Sequence, residues 1–136
     1  MSAPWLRARP AITAEAGSAV AEFVMVVSLL TVLTLSVMQL ALALHIRNTV
    51  QDAAAEGARF AALADSGPAE GAERTRDLIT TALGPSYARH VEAGYGVFAG
   101  HRSAEVRVVA PLPLLGLIGP DRGLEVVGRA AVESPG

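Results

Sequence analysis

Residues 23–44 read FVMVVSLLTVLTLSVMQLALAL, and this stretch decides the fold of the chain. Its 22 positions include no charged residue, and thirteen of them are Leu, Val or Phe. As a helix the stretch would be about 33 Å long, enough to cross the hydrocarbon core of a bilayer. The thirteen large apolar side chains favour insertion by roughly 5 kcal/mol, which its Ser, Thr and Gln residues reduce without reversing. The sequence therefore predicts one transmembrane helix.

The charges that flank this stretch predict its orientation. Arg7, Arg9 and the amino terminus precede it, whereas His45, Arg47 and Asp52 follow it. Because cationic flanks are retained on the cytoplasmic side, we expect a cytoplasmic N-terminus and an extracytoplasmic C-terminus. The predicted location is the cell membrane, crossed once.

Two other interpretations of the apolar stretch stay open. A buried helix of a soluble protein rarely has 22 uncharged residues in a row. A secretory signal peptide is the stronger alternative, since Ala41-Leu42-Ala43 resembles a small-x-small cleavage site. Against it, the stretch exceeds the usual apolar region of about 7–15 residues, and Glu22 stands where a cation is expected.

Composition limits the chemistry that the chain can perform. A net charge of −2 over 136 residues gives no basic surface for nucleic acid. The absence of Cys excludes disulfides and thiolate metal sites. His45, His90 and His101 are isolated and lack metal-ligand spacing. No catalytic motif is recognisable, so we expect a protein that is not an enzyme and needs no cofactor.

Periodicity predicts an α+β fold beyond the membrane. The long N-terminal transmembrane helix continues as an amphipathic stalk to about residue 63, and a breaker cluster at 65–68 ends it. A second short helix is predicted at 69–83, followed by a small antiparallel β-sheet with strands near 87–99, 105–108 and 124–132. An apolar loop at 111–120 connects the last two strands. The predicted domains are a cytoplasmic leader (1–17), the transmembrane helix and stalk (18–64), and a small extracytoplasmic α+β domain (65–136).

One face of the stalk is built mainly from small residues, which permit close approach of another helix. It comprises Ile46, Val50, Ala53, Ala54, Gly57, Phe60, Ala61 and Ala64. This face could pack on the chain's own domain or on another protein, and the sequence does not favour either.

Directly before the apolar stretch, the sequence reads GSAVAEF from Gly17 to Phe23. A glycine, four small or apolar residues, a lone carboxylate and an aromatic residue resemble the processing site of type IV-like prepilins. The resemblance implies cleavage between Gly17 and Ser18 by a membrane-embedded prepilin peptidase. Glu22 would then be the fifth residue of a mature chain of 119 residues. Its carboxylate would pair with the new amine of a neighbouring subunit. This pair would set the register of assembly, together with the adjacent Phe23.

The motif at Gly17–Phe23 and the stalk sequence NTVQDAAAEGAR at 48–59 together resemble the TadE-like family. These are pseudopilins of the tight-adherence (Flp) pilus machinery. The resemblance covers about the first 65 residues well and does not separate TadE-like from TadF-like roles. It implies these partners: a prepilin peptidase, a second TadE/TadF-like pseudopilin, the major Flp-type pilin, the inner-membrane platform with its secretion ATPase, and membrane lipid.

The resemblance implies a minor pseudopilin that supports assembly of the pilus or a related secretion apparatus and that lies in the pilus or at its base. The 92 residues after Leu44 suit a minor subunit better than the bulk fibre protein. A thin polar stripe of Ser28, Thr31 and Gln39 is the candidate surface for helix packing. The alternative function is a membrane-tethered or secreted binding domain whose N-terminus serves only for targeting.

Overall fold

The structure is a computed structural model that describes residues 9–112 and 123–133. Its elements are helices α1 (Arg9–Ala61) and α2 (Pro68–Leu83) and strands β1 (His90–Phe98), β2 (His101–Ala110) and β3 (Leu124–Ala131). The chain divides into two compact units, Met1–Gln39 and Leu40–Gly136. This element order confirms the predicted α+β fold, with a long apolar helix followed by a short helix and a C-terminal antiparallel sheet.

The first unit contains the amino-terminal part of α1, in which three hydroxyl side chains form hydrogen bonds within the helix. The hydroxyls of Thr31, Thr34 and Ser36 each donate to the carbonyl four residues earlier, at 2.7–2.8 Å. Such bonds offset the cost of placing hydroxyls in an apolar helix, because each polar group has a partner on its own backbone.

Local sequence signals set both ends of α2. Pro68 occupies its first turn, where the missing N–H costs nothing, and Gly67 is its N-cap. At the other end Gly84 adopts φ 103° and donates its N–H to the carbonyl of Thr80 at 3.0 Å. Pro85 then starts a short 3₁₀ turn that leads into β1. The helix predicted at 69–83 is confirmed to within one residue.

The three strands form one antiparallel sheet in the order β1-β2-β3. A two-residue turn joins β1 to β2, and both of its residues have positive φ, 52° at Ala99 and 78° at Gly100. Such a turn matches the right-handed twist of an antiparallel pair. Gly94 and Gly96 weaken the strand signal in the sequence, yet both pair within β1, opposite Glu105 and Ser103.

The core of the second unit lies between one face of the sheet and the two helices. Most of its side chains are small, and Ile79 and Val50 are among its largest fully buried members. The buried cluster comprises Ile46, Val50, Ala53, Ala54, Ala58, Ala72, Ile79, Ala88, Val91, Val106, Val108, Ala110, Leu124 and Val126. A second cluster of Ala61, Ala62 and Ala104 continues it past the end of α1.

The small-residue face of the stalk therefore packs on its own domain, which decides between the two alternatives left open by the sequence. Two members of the predicted face behave differently. Phe60 is 37% exposed and Ala64 lies beyond the end of α1. Ala58 and Ala62 are buried instead. Arg7 in the predicted leader, and most of the predicted apolar loop at 111–120, lie outside the described residues.

Candidate functional site

The predicted cleavage position lies on an accessible part of α1. Gly17 and Ser18 are both helical and exposed, and a Cβ added at Gly17 would have nothing within 4 Å. Glycine in a helix interior is about 1 kcal/mol less favourable than alanine. The helix is therefore locally weak at the position where a protease would have to bind an extended backbone.

Ser18 and Glu22 lie on the same face of α1, one turn apart. Their spacing of four residues corresponds to a rise of about 6 Å, and the side chain of Glu22 leans toward the amino-terminal end of the helix. Both residues are exposed. If the chain began at Ser18, its ammonium and the backbone N–H groups of the next three residues would have no helical partners beside this carboxylate, and the helix dipole would favour it there.

Large apolar side chains are exposed around α1 from Phe23 onwards. Phe23 itself is 69% exposed, and Met25 and Leu29 are exposed to a similar degree. A continuous apolar surface of this extent marks a membrane or protein contact. Within the described residues, one helix is long and apolar enough to cross a membrane. This single N-terminal apolar helix is the arrangement of a single-pass membrane protein.

The predicted packing stripe follows α1 further along. Ser28 and Gln39 are eleven residues apart, which places them about 20° apart around the helix, with Thr31 about 60° to one side. The hydroxyl of Thr31 donates to the carbonyl of Val27 at 2.8 Å. Ser28 and Thr31 are exposed and Gln39 is half-buried. These three residues thus share one side of the helix, separate from the Gly17–Phe23 segment.

The outer face of the sheet is polar and mostly paired. Arg129 donates to Glu105 at 3.0 Å, and Arg107 lies 3.5 Å from Glu125. Both pairs are exposed, where such interactions contribute about 0–1 kcal/mol. In the part of the chain that the structure describes, no group of three or more His, Asp or Glu residues is placed to hold a metal ion.

Thr75 is a structural residue that the sequence reasoning missed. Its side chain is fully buried, and its hydroxyl lies 2.9 Å from the carbonyl of Gly71 and 3.3 Å from that of Ala53 on α1. The four-residue spacing of Gly71 and Thr75 on α2 is a signal that could have identified this contact.

Comparison with known proteins gives one family match. The family model described as TadE-like protein matches residues 17–59, from the predicted cleavage position to the carboxyl-terminal part of α1. Neither the curated proteins nor the solved structures compared with the chain gave a significant match. A TadE-like domain indicates association with the Tad pilus system. Residues 17–59 thus match a TadE-like domain, which confirms the family resemblance predicted from the sequence.

Proposed function

We propose that this protein is a minor pseudopilin that supports assembly of a tight-adherence (Flp-type) pilus or a related secretion apparatus. The observation that carries the proposal is the position of Gly17, Glu22 and Phe23 at the start of the exposed apolar part of α1, within a segment that matches the TadE-like family model. The 92 residues after Leu44 include a folded domain, which suits a minor subunit.

In this proposal a prepilin peptidase hydrolyses the bond between Gly17 and Ser18. Gly17 lowers the cost of opening the helix there and fits an extended backbone into a narrow protease groove. Cleavage removes the leader and gives Ser18 a positively charged amine. The carboxylate of Glu22 pairs with the amine of a neighbouring subunit, since in a low-dielectric surrounding a paired charge is strongly preferred to a lone one. Subunits then stack in the register at which carboxylate meets amine.

The protein acts here as the substrate of an enzyme and not as an enzyme. It lies in the cell membrane with its N-terminus in the cytoplasm and its C-terminal domain outside. Ser28, Thr31 and Gln39 form the polar side of the helix that packs on other subunits. The partners are the peptidase, a second TadE/TadF-like pseudopilin, the major pilin, the inner-membrane platform with its ATPase, and lipid.

Amino-terminal sequencing of the protein recovered from its own cells tests this proposal. We expect a mature chain that begins at Ser18 and retains the apolar helix. A chain that begins at Leu44 would instead identify a targeting signal and leave a secreted binding domain, which would refute the pseudopilin function.

Substitution at the cleavage position gives a second test. We expect Gly17→Leu to prevent cleavage, so that the chain keeps its 17-residue leader, because a side chain at this position obstructs the protease groove. The control is Ala14→Leu. It places the same side chain about one turn earlier, within the part of the chain that the proposed cleavage removes. Immunoblots of membrane fractions distinguish precursor from mature chain by mobility. Normal processing of Gly17→Leu would contradict recognition at this glycine.

A further inference from the structure

The turn between β1 and β2 presents an exposed aromatic and cationic end, which we term the hairpin tip: Tyr95, Val97, Phe98, His101 and Arg102. Val97 is 75% exposed and Phe98 is 58% exposed. The guanidinium of Arg102 lies 4.5 Å from the centre of the Tyr95 ring, within the range of a cation–π contact. The short turn holds these side chains on a stiff two-stranded support.

A second surface of the same unit carries the opposite charge. Between the end of α1 and the first half of α2 is a cleft of about 400 Å³, the helix groove, lined by Phe60, Ala69, Glu70, Glu73, Arg74 and Asp77. Phe60 leaves 37% of its surface exposed there. Three carboxylates and one guanidinium give the lining a formal charge of −2. The groove thus combines an apolar contact point with an acidic rim.

The hairpin tip and the helix groove are complementary in charge and both expose apolar side chains. Arg102 makes the tip cationic, whereas the rim of the groove is acidic. Both surfaces lie near the carboxyl-terminal end of α1, since Phe60 lines the groove and Ala104, which pairs with Tyr95 of the tip, lies in a buried cluster with Ala61 and Ala62.

We propose that the hairpin tip of one copy of this chain inserts into the helix groove of a second copy. Val97 contacts Phe60, and Arg102 faces the rim carboxylate of Asp77. Because the two surfaces differ, the contact is heterologous, and its repetition extends into a row of subunits or closes into a ring. This inference goes beyond the proposed function, since it concerns the second compact unit alone and requires neither removal of the leader nor pairing of Glu22.

Cysteine cross-linking of the full chain tests the contact, because the chain has no cysteine of its own. Two differently tagged copies, one with Glu73→Cys and the other with Val97→Cys, are expressed together and oxidised in their membranes. We expect a disulfide-linked dimer that contains both tags. The control pair is Glu73→Cys with Glu92→Cys, which places the second thiol at an exposed position of β1 away from the tip. The expected yield is at least about tenfold above this control.

Charge reversal separates a specific contact from chance encounters. In the cross-linking pair, Arg102→Glu in the Val97→Cys copy should lower the yield about tenfold, because it opposes like charges across the interface. Asp77→Arg in the Glu73→Cys copy then places a cation opposite the new carboxylate. This compensated pair should recover most of the yield.

Every other outcome overturns the proposal. Dimers linked through two Glu73→Cys copies in place of the mixed dimer would show a symmetric contact. Linkage of the groove cysteine only to a protein of different mass would assign the groove to another partner. A yield equal to that of the control pair, or no recovery in the compensated pair, would exclude the contact between tip and groove.

Discussion

Glycine residues at three positions of the second unit allow backbone segments to meet where any side chain would collide. A Cβ at Gly57 would meet the hydroxyl of Thr75, and one at Gly71 would lie 2.6 Å from the carbonyl of Gly57. A Cβ at Gly128 on β3 would meet the backbone carbonyl of Ala54 on α1. The close contacts of α1 with α2 and with β3 thus require glycine at these three positions, because any side chain there would collide with the neighbouring segment.

Gly128→Ala tests the contact of α1 with β3. We expect it to lower the free energy of unfolding by about 1–3 kcal/mol, because neither backbone segment can move away without disturbing the buried core. Gly94→Ala is the matched control in β1, where an added Cβ has nothing within 4 Å. Thermal unfolding of the full chain in detergent, followed by circular dichroism, measures both. Equal midpoints would show that the contact of Gly128 with Ala54 is not tight.

Glu22 gives a prediction about charge at a single residue. We expect Glu22→Gln to be processed normally and to lower incorporation into the assembled complex, because the amide keeps the shape of the carboxylate without its charge. Glu15→Gln is the control, since Glu15 would be removed with the leader. Co-purification with the other pilus components measures incorporation. Normal pilus formation by Glu22→Gln would refute the register role.

Helix α1 presents different surfaces along its length. From Val20 to Leu44 its large apolar side chains are exposed around the helix, whereas from Ile46 to Ala61 one face is buried in the second unit. Helix α2 covers part of that face. Because the two helices meet through small residues, the hydroxyl of Thr75 on α2 reaches the backbone of both.

Thr75→Val tests the contact between the two helices. We expect a loss of about 1–2 kcal/mol in the free energy of unfolding, since the variant removes a buried hydrogen bond and places a methyl group against the carbonyl of Gly71. Thr81→Val is the control on the exposed side of the same helix and should change stability by less than about 0.5 kcal/mol. Urea unfolding of the two variants in detergent compares them, and similar losses would contradict a special role for Thr75.

At the scale of the whole molecule, the stalk is part of the folded unit. Residues of α1 from Ile46 to Ala61 contribute to the same buried clusters as α2 and the sheet. A backbone hydrogen bond also joins the segment after β3 to the segment after α1, where Glu133 donates its N–H to the carbonyl of Ala62 at 3.0 Å. Removal of the stalk would therefore expose the core face of the sheet.

Two fragments test where the folded unit begins. We expect residues 40–136 to unfold cooperatively, because this fragment retains the whole buried core. Residues 65–136, which correspond to the domain predicted from sequence, should lack cooperative unfolding because they lack the α1 side of that core. Circular dichroism and thermal melting of the two purified fragments distinguish them. Cooperative melting of 65–136 would show that the stalk is dispensable for folding.

The sequence by itself determined the long apolar helix, α2, the three strands and the TadE-like segment. These features depend on local properties: an uninterrupted apolar stretch, the breakers at Gly67-Pro68 and Gly84-Pro85, and alternation in β2. The candidate residues Gly17 and Glu22 were also predicted from local sequence, through their spacing from the apolar stretch, and their roles stay predictions.

Only the tertiary structure decided what the small-residue face of the stalk contacts, and that Phe60 is left partly exposed beside α2. Many faces of small residues look alike in sequence, since alanine and glycine are compatible with any close neighbour. Which segments meet depends on the path of the chain between them, as with Gly128 and Ala54, which are far apart in sequence. The physical reason is that close packing depends on how two surfaces fit together. The sequence gives the residues of each surface, but not which two surfaces meet.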